Sequence, residues 1–283
     1  MTTQKITNPG ELILVLGGTG KTGRRIVARL NALGVAVRVG SRTASPAFDW
    51  NDPATWASSL DGVTKIYINY APDLAIPGAA NAISALTQRA RDAGVQQLVL
   101  LSGRGESEAQ VCEAIVKRSG IDWTIVRASW FNQNFSEGAF VDMVQAGNIT
   151  LPDVATPEPF VDADDIADVA VAALTETGHV GEIYEVTGPR LLTLSDIANE
   201  LSRATGRTIT YTPVPHEVFV QEVAASGAPR DVVWMLDYLF ATVLDGRNAH
   251  ITDGVQRALG RTPRDFADYA NAVADTGVWR AAA

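Results

Sequence analysis

The stretch Leu12-Ile13-Leu14-Val15-Leu16-Gly17-Gly18-Thr19-Gly20-Lys21-Thr22-Gly23-Arg24-Arg25-Ile26 decides how this chain is read. An apolar run of strand length ends in a glycine-rich turn, and the turn opens directly into a helix. Gly17, Gly20 and Gly23 recur at every third position, so a tight turn can aim backbone N–H groups at a diphosphate. The positive end of the helix dipole lies behind them. Gly18, Thr19, Lys21 and Thr22 complete the turn. Glycines alone are a weak signal, but their place between a buried strand and an amphipathic helix makes this one strong. Gly20-Lys21-Thr22 also looks like the end of a P-loop. That loop needs a glycine five residues before Gly20, where Val15 stands, so the ATP-binding motif is excluded.

Outward from this turn, Ile26, Val27, Leu30 and Leu33 mark one apolar helix face, and Gly34 ends the helix. Residues 35–39 read as a second strand, with Gly40-Ser41-Arg42 at its carboxyl end, and Trp56 and Leu60 place a short helix in the polar stretch that follows. Strands are expected at 66–68, 98–101, 123–126 and 183–186, and helices at 79–93, 106–119 and 164–174. Apolar strands alternating with helices call for a doubly wound parallel sheet covered on both faces, an α/β fold. Gly17, Ser41, Tyr70 and Ser102 then lie along one edge, where ligands bind in such sheets. Beyond Gly188 the pattern changes. Thr193 reads as an N-cap with Asp196 three residues on. A proline-punctuated strand at 209–215 and helices near 217–225 and 230–244 follow. We therefore expect a nucleotide-binding domain over 1–188 and a smaller α+β substrate lobe over 189–283, with part of 130–158 joining the lobe in space.

Composition excludes several classes. The 283 residues are 46% apolar and 19% charged, and 23 basic against 32 acidic residues give a net charge of −9. Nucleic-acid phosphates would be repelled, so a small-molecule ligand is expected instead. Cys112, the single cysteine, allows no intrachain disulfide or thiolate metal cluster, and its helical context predicts packing. His179, His216 and His250 lack metal-ligand spacing, so no metal is expected. The amino-terminal segment 1–11 is polar, and no apolar run has membrane-spanning length, which makes a cytoplasmic protein the default expectation.

Further landmarks carry a family resemblance: Ser119-Gly120-Ile121-Asp122-Trp123-Thr124-Ile125-Val126-Arg127, Phe131-Asn132-Gln133-Asn134, Phe160-Val161-Asp162, Asp165-Ile166-Ala167, and Gly181-Glu182-Ile183-Tyr184-Glu185-Val186-Thr187-Gly188-Pro189. With the glycine turn, they make the chain resemble the NmrA-like branch of the atypical short-chain dehydrogenase/reductases over nearly its whole length. The resemblance implies a Rossmann domain for NAD(P). It also implies either a reductase of quinones, dyes, imines or conjugated systems, or a non-catalytic redox sensor. By family position, Asp49-Trp50 should lie near the adenine, Tyr70-Ala71-Pro72 along the cofactor and Ser102-Gly103 near the nicotinamide ribose, with 128–132 beside the nicotinamide.

The second strand argues for cofactor choice. NAD-binding folds usually place a carboxylate at its end to hold the ribose hydroxyls. Here Gly40-Ser41-Arg42 stands there, and no carboxylate appears before Asp49. Arg42, with Arg24 as a second candidate, suits a 2′-phosphate, which favours NADP(H) over NAD(H).

One family feature is missing. Typical short-chain dehydrogenases pair a Tyr-x-x-x-Lys, but the segment 103–113 after Ser102 contains no tyrosine. Ketone reduction makes an alkoxide that needs a strong proton donor, whereas a reduced quinone is a phenolate whose conjugate acid has a pKa of about 10. A quinone or similar planar conjugated electrophile is therefore the expected substrate. The resemblance alone extends this to aromatic polyketide tailoring within a quinone-reduction and oxygenation system. A dinucleotide sensor without turnover is the alternative. Trp130, Phe131, Asn132 and Phe135, together with Trp234 and Tyr238 four residues apart, form the candidate substrate pocket, although the aromatic residues would serve equally as core. Asp162, Asp164 and Asp165 are expected to cap a helix. Catalytic residues and the choice between monomer and homodimer stay open.

Overall fold

The computed structural model describes residues 10–138 and 140–280; residues 1–9, most of the polar amino-terminal segment, lie outside the described residues. The strands are β1 (Leu12–Leu16), β2 (Ala36–Gly40), β3 (Lys65–Ile68), β4 (Gln97–Gly103), β5 (Asp122–Ala128), β6 (Asn148–Pro152), β7 (Ile183–Val186) and β8 (Thr210–Val214). The helices are α1 (Lys21–Ala32), α2 (Trp56–Leu60), α3 (Ala79–Asp92), α4 (Ser107–Lys117), α5 (Val141–Ala146), α6 (Ala163–Thr175), α7 (Leu194–Thr205), α8 (His216–Ala225), α9 (Arg230–Tyr238), α10 (Gly254–Leu259) and α11 (Phe266–Thr276).

Two compact units divide the chain. Of the described residues, the first holds 10–128, 164–186 and 253–261, and the second holds 129–138, 140–163, 187–252 and 262–280. Neither unit is one continuous stretch: 129–163 belongs with the second, and 164–186 and 253–261 with the first.

In the first unit, six strands form a sheet in the order β2-β1-β3-β4-β5-β7, every neighbouring pair parallel. Strand order reverses between β1 and β3, which opens a crevice at the carboxyl edge of the sheet. Alternation along the strands covers both faces. Leu14, Leu16, Ile66, Ile68, Leu98 and Leu100 pack in one cluster with Ile83, Leu86 and Ala90 of α3 and Cys112 and Val116 of α4. Their alternates Ile13, Val15, Tyr67 and Val99 are equally buried. On that other side the Tyr67 hydroxyl reaches Thr22 of α1, and the Lys65 and Gln97 side chains donate to the α6 carbonyls of Leu174 and Ala173. A sheet buried on both faces explains the continuous apolar runs in the sequence.

Charge fastens α1 to α6. Arg25 and Arg29 both reach Asp164, at 3.2 and 2.6 Å, and Arg29 also reaches Asp168. Arg261 binds Asp165 and Asp168. Asp164 and Asp165 do stand in the first turn of α6, where negative charge suits the helix dipole. Capping nevertheless understates their role, because both carboxylates are ion-paired across elements, and Asp162 accepts from Gln133.

The second unit has its own core, including Phe135, Phe140, Ile149, Leu151, Phe160, Ile197, Leu201, Phe266 and Trp279. β6 and β8 pair in parallel, Asn148 opposite Thr210 through Pro152 opposite Val214. α7 opens with the expected capping box: the Thr193 hydroxyl accepts from the Asp196 amide, and the Asp196 carboxylate accepts from the Thr193 amide. Arg190 clamps Asp265 and Glu200, holding the start of α11 beside α7.

Burial alone would raise the Asp164 pKa, but Arg29 and Arg25 outweigh it and hold the carboxyl below its ordinary value. A depressed folded-state pKa contributes stability above the unfolded value of about 4, and that stability is lost as pH falls through the folded value. Asp164→Asn should therefore lower stability by about 1 kcal/mol at neutral pH. Denaturant unfolding at a series of pH values should show the gap from the parent closing in acid. A gap that stays constant through the acid range would assign the loss to something other than charge.

Candidate active site

The glycine turn is built by close backbone contacts. Gly17 has φ of +66°, a left-handed conformation that favours glycine. Its N–H donates to the Gly40 carbonyl at 2.9 Å, and the Gly18 N–H approaches the same oxygen at 3.4 Å, so the turn is fixed to the end of β2. The Gly20 N–H then donates to the Gly17 carbonyl at 2.9 Å. A Cβ on Gly23 would lie 2.1 Å from that same carbonyl oxygen, so only glycine lets α1 start this close to the strand. No side chain caps α1 at Gly20. The opening amides of a helix have no intrahelical partners and point outward from its start, an arrangement suited to a pyrophosphate. Thr22 is buried, and its hydroxyl accepts from Tyr67 at 2.9 Å. Burial pushes the Tyr67 phenol well up, so it stays a neutral donor.

Ser41 and Arg42 follow β2 immediately, beside the glycine turn. The Ser41 carbonyl accepts from the Phe48 amide at 2.9 Å, closing the 41–48 segment on itself. Arg42 is exposed, as is Arg24 in the first turn of α1. Asp49, Trp50 and Tyr70 come together. The Trp50 ring lies 5.0 Å from Phe48 and 4.8 Å from Tyr70, its indole N–H donates to the Asn69 carbonyl, and the Asp49 carbonyl accepts from Trp56 at 2.7 Å. Asn69 was missed by sequence reading. Its Nδ2 lies 2.9 Å from where a Gly17 Cβ would sit, placing an amide against the glycine turn. The signal was a polar residue directly after an apolar strand. Ala71 and Pro72 continue from Tyr70 as exposed residues.

At β4, Ser102 and Gly103 open a buried polar network. Ser102 Oγ donates to Glu113 Oε1 at 2.8 Å, and Arg127 takes the same carboxylate through two nitrogens at 2.8 and 2.6 Å. Arg127 also reaches Glu185 at 2.5 Å, and Arg104 reaches Glu185 at 3.3 Å. Register explains the meeting: Ser102 faces Arg127, and Arg127 faces Glu185 on the next strand. Burial would raise the Glu113 pKa, but Arg127, Ser102 and Lys117 together hold it below the usual range. Glu113 is therefore a fixed anion. Glu113 was not singled out from sequence, and Arg127 and Glu185 stood there only as family landmarks with no role assigned.

The second unit decides the aromatic residues differently. Phe135 is fully buried against Phe140, Phe160 and Phe266, so it is core and not the pocket wall expected of it. Asn132 is also fully buried, which corrects its placement on a pocket surface too. Trp130 is only partly buried, lying 5.2 Å from Phe240, and Phe131 is also partly buried. Trp234 and Tyr238 stack face to face at 5.3 Å with their planes 4° apart, and Trp234 is 37% exposed. Among the described residues, no group of His, Cys, Asp and Glu is placed to hold a metal ion, and no helix is long and apolar enough to cross a membrane.

A parallel sheet with a glycine turn at its switch point and an uncapped helix start defines a dinucleotide-binding α/β protein. The sequence matches the NmrA-like family over residues 106–269 and an NAD(P)H-binding family over 17–177. The chain belongs to the NmrA-like family. It is 31% identical over 282 residues to the NAD(P)H azoreductase of Xenophilus azovorans, an alignment covering 92% of this chain and 97% of that protein. It is 30% identical to festuclavine synthase II of Penicillium roqueforti, covering 91% and 96% of the two chains. The NADPH-dependent quinone oxidoreductase of Escherichia coli, solved with NADPH, shares the fold at a TM-score of 0.78 and 21% identity, covering 92% of this chain and 99% of that one. The protein is an NAD(P)H-dependent oxidoreductase of the atypical kind, without the Tyr-x-x-x-Lys pair.

Gly23→Ala tests the turn. The added methyl forces the Gly17 carbonyl away, so NADPH affinity measured by calorimetry should fall at least about tenfold. A far-ultraviolet spectrum like the parent's would show that the fold survives, and unchanged affinity would remove the turn from cofactor binding.

Proposed function

We propose that the protein reduces a planar conjugated electrophile, such as a quinone or an azo compound, at the expense of NADPH. One observation carries this reading: Ser102 is bonded to an ionised Glu113 held by Arg127, where an alcohol dehydrogenase would present tyrosine and lysine. A carboxylate held this way has no proton to give, so Glu113 cannot serve as the acid for alkoxide-forming ketone reduction. Acceptors that spread the incoming charge over a conjugated system fit better. When bound, the dinucleotide supplies a hydride from its nicotinamide ring. The chain's part is to hold the diphosphate on the Gly17–Gly23 turn and to orient the ring. The Trp130 ring and the Trp234–Tyr238 stack offer flat apolar surfaces suited to an aromatic acceptor. The NAD(P)H azoreductase it resembles and the quinone oxidoreductase that shares its fold support the same class of substrate.

Cofactor preference follows from β2. With no carboxylate between Gly40 and Asp49, the exposed Arg42 guanidinium is the group beside the turn that suits a 2′-phosphate.

Loss of NADPH absorbance should follow addition of quinones or azo dyes, and simple ketones should be inert. Silence across quinones, azo dyes and imines, with the dinucleotide still bound, would favour the sensor reading instead. Arg42→Ala should weaken NADPH by about tenfold and leave NADH nearly unchanged. Equal losses for the two would reject NADP(H) preference.

A further inference from the structure

We propose that the outer face of α9 binds a planar aromatic acid, its rings against the Trp234–Tyr238 stack and its acid group on Arg230. The acceptor is then a conjugated polycycle that carries a sulfonate or carboxylate. Its assignment as acceptor rests on the reductase reading; the binding site does not.

α9 and the turn after it carry two opposite stripes. Val232, Leu236 and Phe240, four apart, turn toward the core of the second unit, where Leu236 and Phe240 are buried and Val232 packs against them. Arg230, Trp234 and Tyr238 are also four apart but two positions out of step. At about 3.6 residues per turn, that offset puts them on the other side of the helix. Core packing therefore accounts for the first stripe and leaves the second without a reason. Trp234 and Arg230 are both exposed. Leaving a tryptophan open to water forgoes the stabilisation its burial would bring. The Trp234 and Tyr238 rings are nonetheless ordered, 5.3 Å apart with planes 4° from parallel. A further flat ring can extend such a stack without disturbing it.

Arg230 supplies the charge. It stands one helical turn before Trp234, and among the described residues its guanidinium has no hydrogen bond, ion pair or ring contact. The acids of α9 lie off the stripe. Asp237 is held by His216 Nε2 at 2.6 Å, and Asp231 points about 100° round the helix from Arg230. In a chain of net charge −9, an unpaired cation beside an open aromatic face is the combination that recognises an aromatic anion.

The two contacts do different work. A guanidinium takes a carboxylate or sulfonate through parallel N–H bonds, which fixes direction as well as position. The ring faces hold the body of the ligand and tolerate any planar polycycle. An uncharged polycycle would meet the rings alone, and one with a cationic substituent would be repelled by Arg230. Acceptors of equal reactivity are thereby sorted by charge.

Calorimetry with naphthalene sulfonate and the uncharged naphthalene sulfonamide tests the site without turnover. The sulfonate should bind the parent about tenfold more tightly; Arg230→Ala should remove that preference and Arg230→Lys should keep part of it. Added salt should narrow the preference in the parent. Trp234→Ala should weaken both probes. In steady-state kinetics with NADPH, Arg230→Ala should lower, by about tenfold and through KM, the ratio of kcat/KM for a sulfonated naphthoquinone to that for the uncharged one. Equal binding of the two probes, a preference or a kinetic ratio that survives Arg230→Ala, or a change of oligomeric state in Trp234→Ala by light scattering, which would give the face to a second copy, would overturn the proposal alone. Arg230-dependent binding in an enzyme that reduces no acceptor would leave the site standing and overturn the reductase reading.

Discussion

The approach of Gly23 to the Gly17 carbonyl is the constraint on which the rest of the site depends. A helix that begins within a methyl group's width of a strand end leaves its opening amides at the sheet edge, with no side chain to cap them. The Gly17 N–H is meanwhile bonded to the Gly40 carbonyl, which fixes the end of β2 beside the same turn. The glycine turn and the residues that follow β2 are thereby set by a single backbone contact pattern. Asn69, pressed against Gly17, brings the end of β3 to the same place.

Two carboxyls near the end of β4 show how neighbouring residues of one chemical type have their pKa values pushed in opposite directions. Glu113 faces the Arg127 guanidinium and a serine hydroxyl, and the positive charge outweighs its burial. Glu106 is also buried, but its neighbours are the carboxylates of Asp73 and Glu108, and its carboxyl is pushed well up. Environments that push like groups apart are a recurrent way to place an acid beside an anion at neutral pH. Each arrangement depends on pairing between adjacent parallel strands, which carries residues distant in the chain to one edge.

Much of the first unit was legible from residue order. β1, β3, β4 and β5 declare themselves as apolar runs because the sheet is buried on both faces, and the glycines at 17, 20 and 23 mark the turn because close backbone approach admits nothing else. The Thr193 capping box was legible for a similarly local reason. β6 was not read. Asn148–Pro152 is short and carries no distinctive pattern, and it becomes a strand only by pairing with β8 some sixty residues later. Phe135 was misplaced because an aromatic near a site is equally suited to lining it or packing beneath it. Its enclosure by Phe140, Phe160 and Phe266 settles that question in three dimensions.

Residue order alone fixed the strand–glycine turn–helix, the missing tyrosine, and the absence of a carboxylate after the second strand. Each of these is a matter of which residues stand within a few positions of one another, and short-range backbone sterics read them out. Tertiary structure alone decided which acids are pushed up and which down in pKa, and which aromatics stay partly open. Glu106 meets Asp73, and Glu113 meets Arg127, only through sheet pairing and crossover helices. A proton's free energy depends on burial and on charges a few ångströms away in space, at whatever distance those charges lie along the chain.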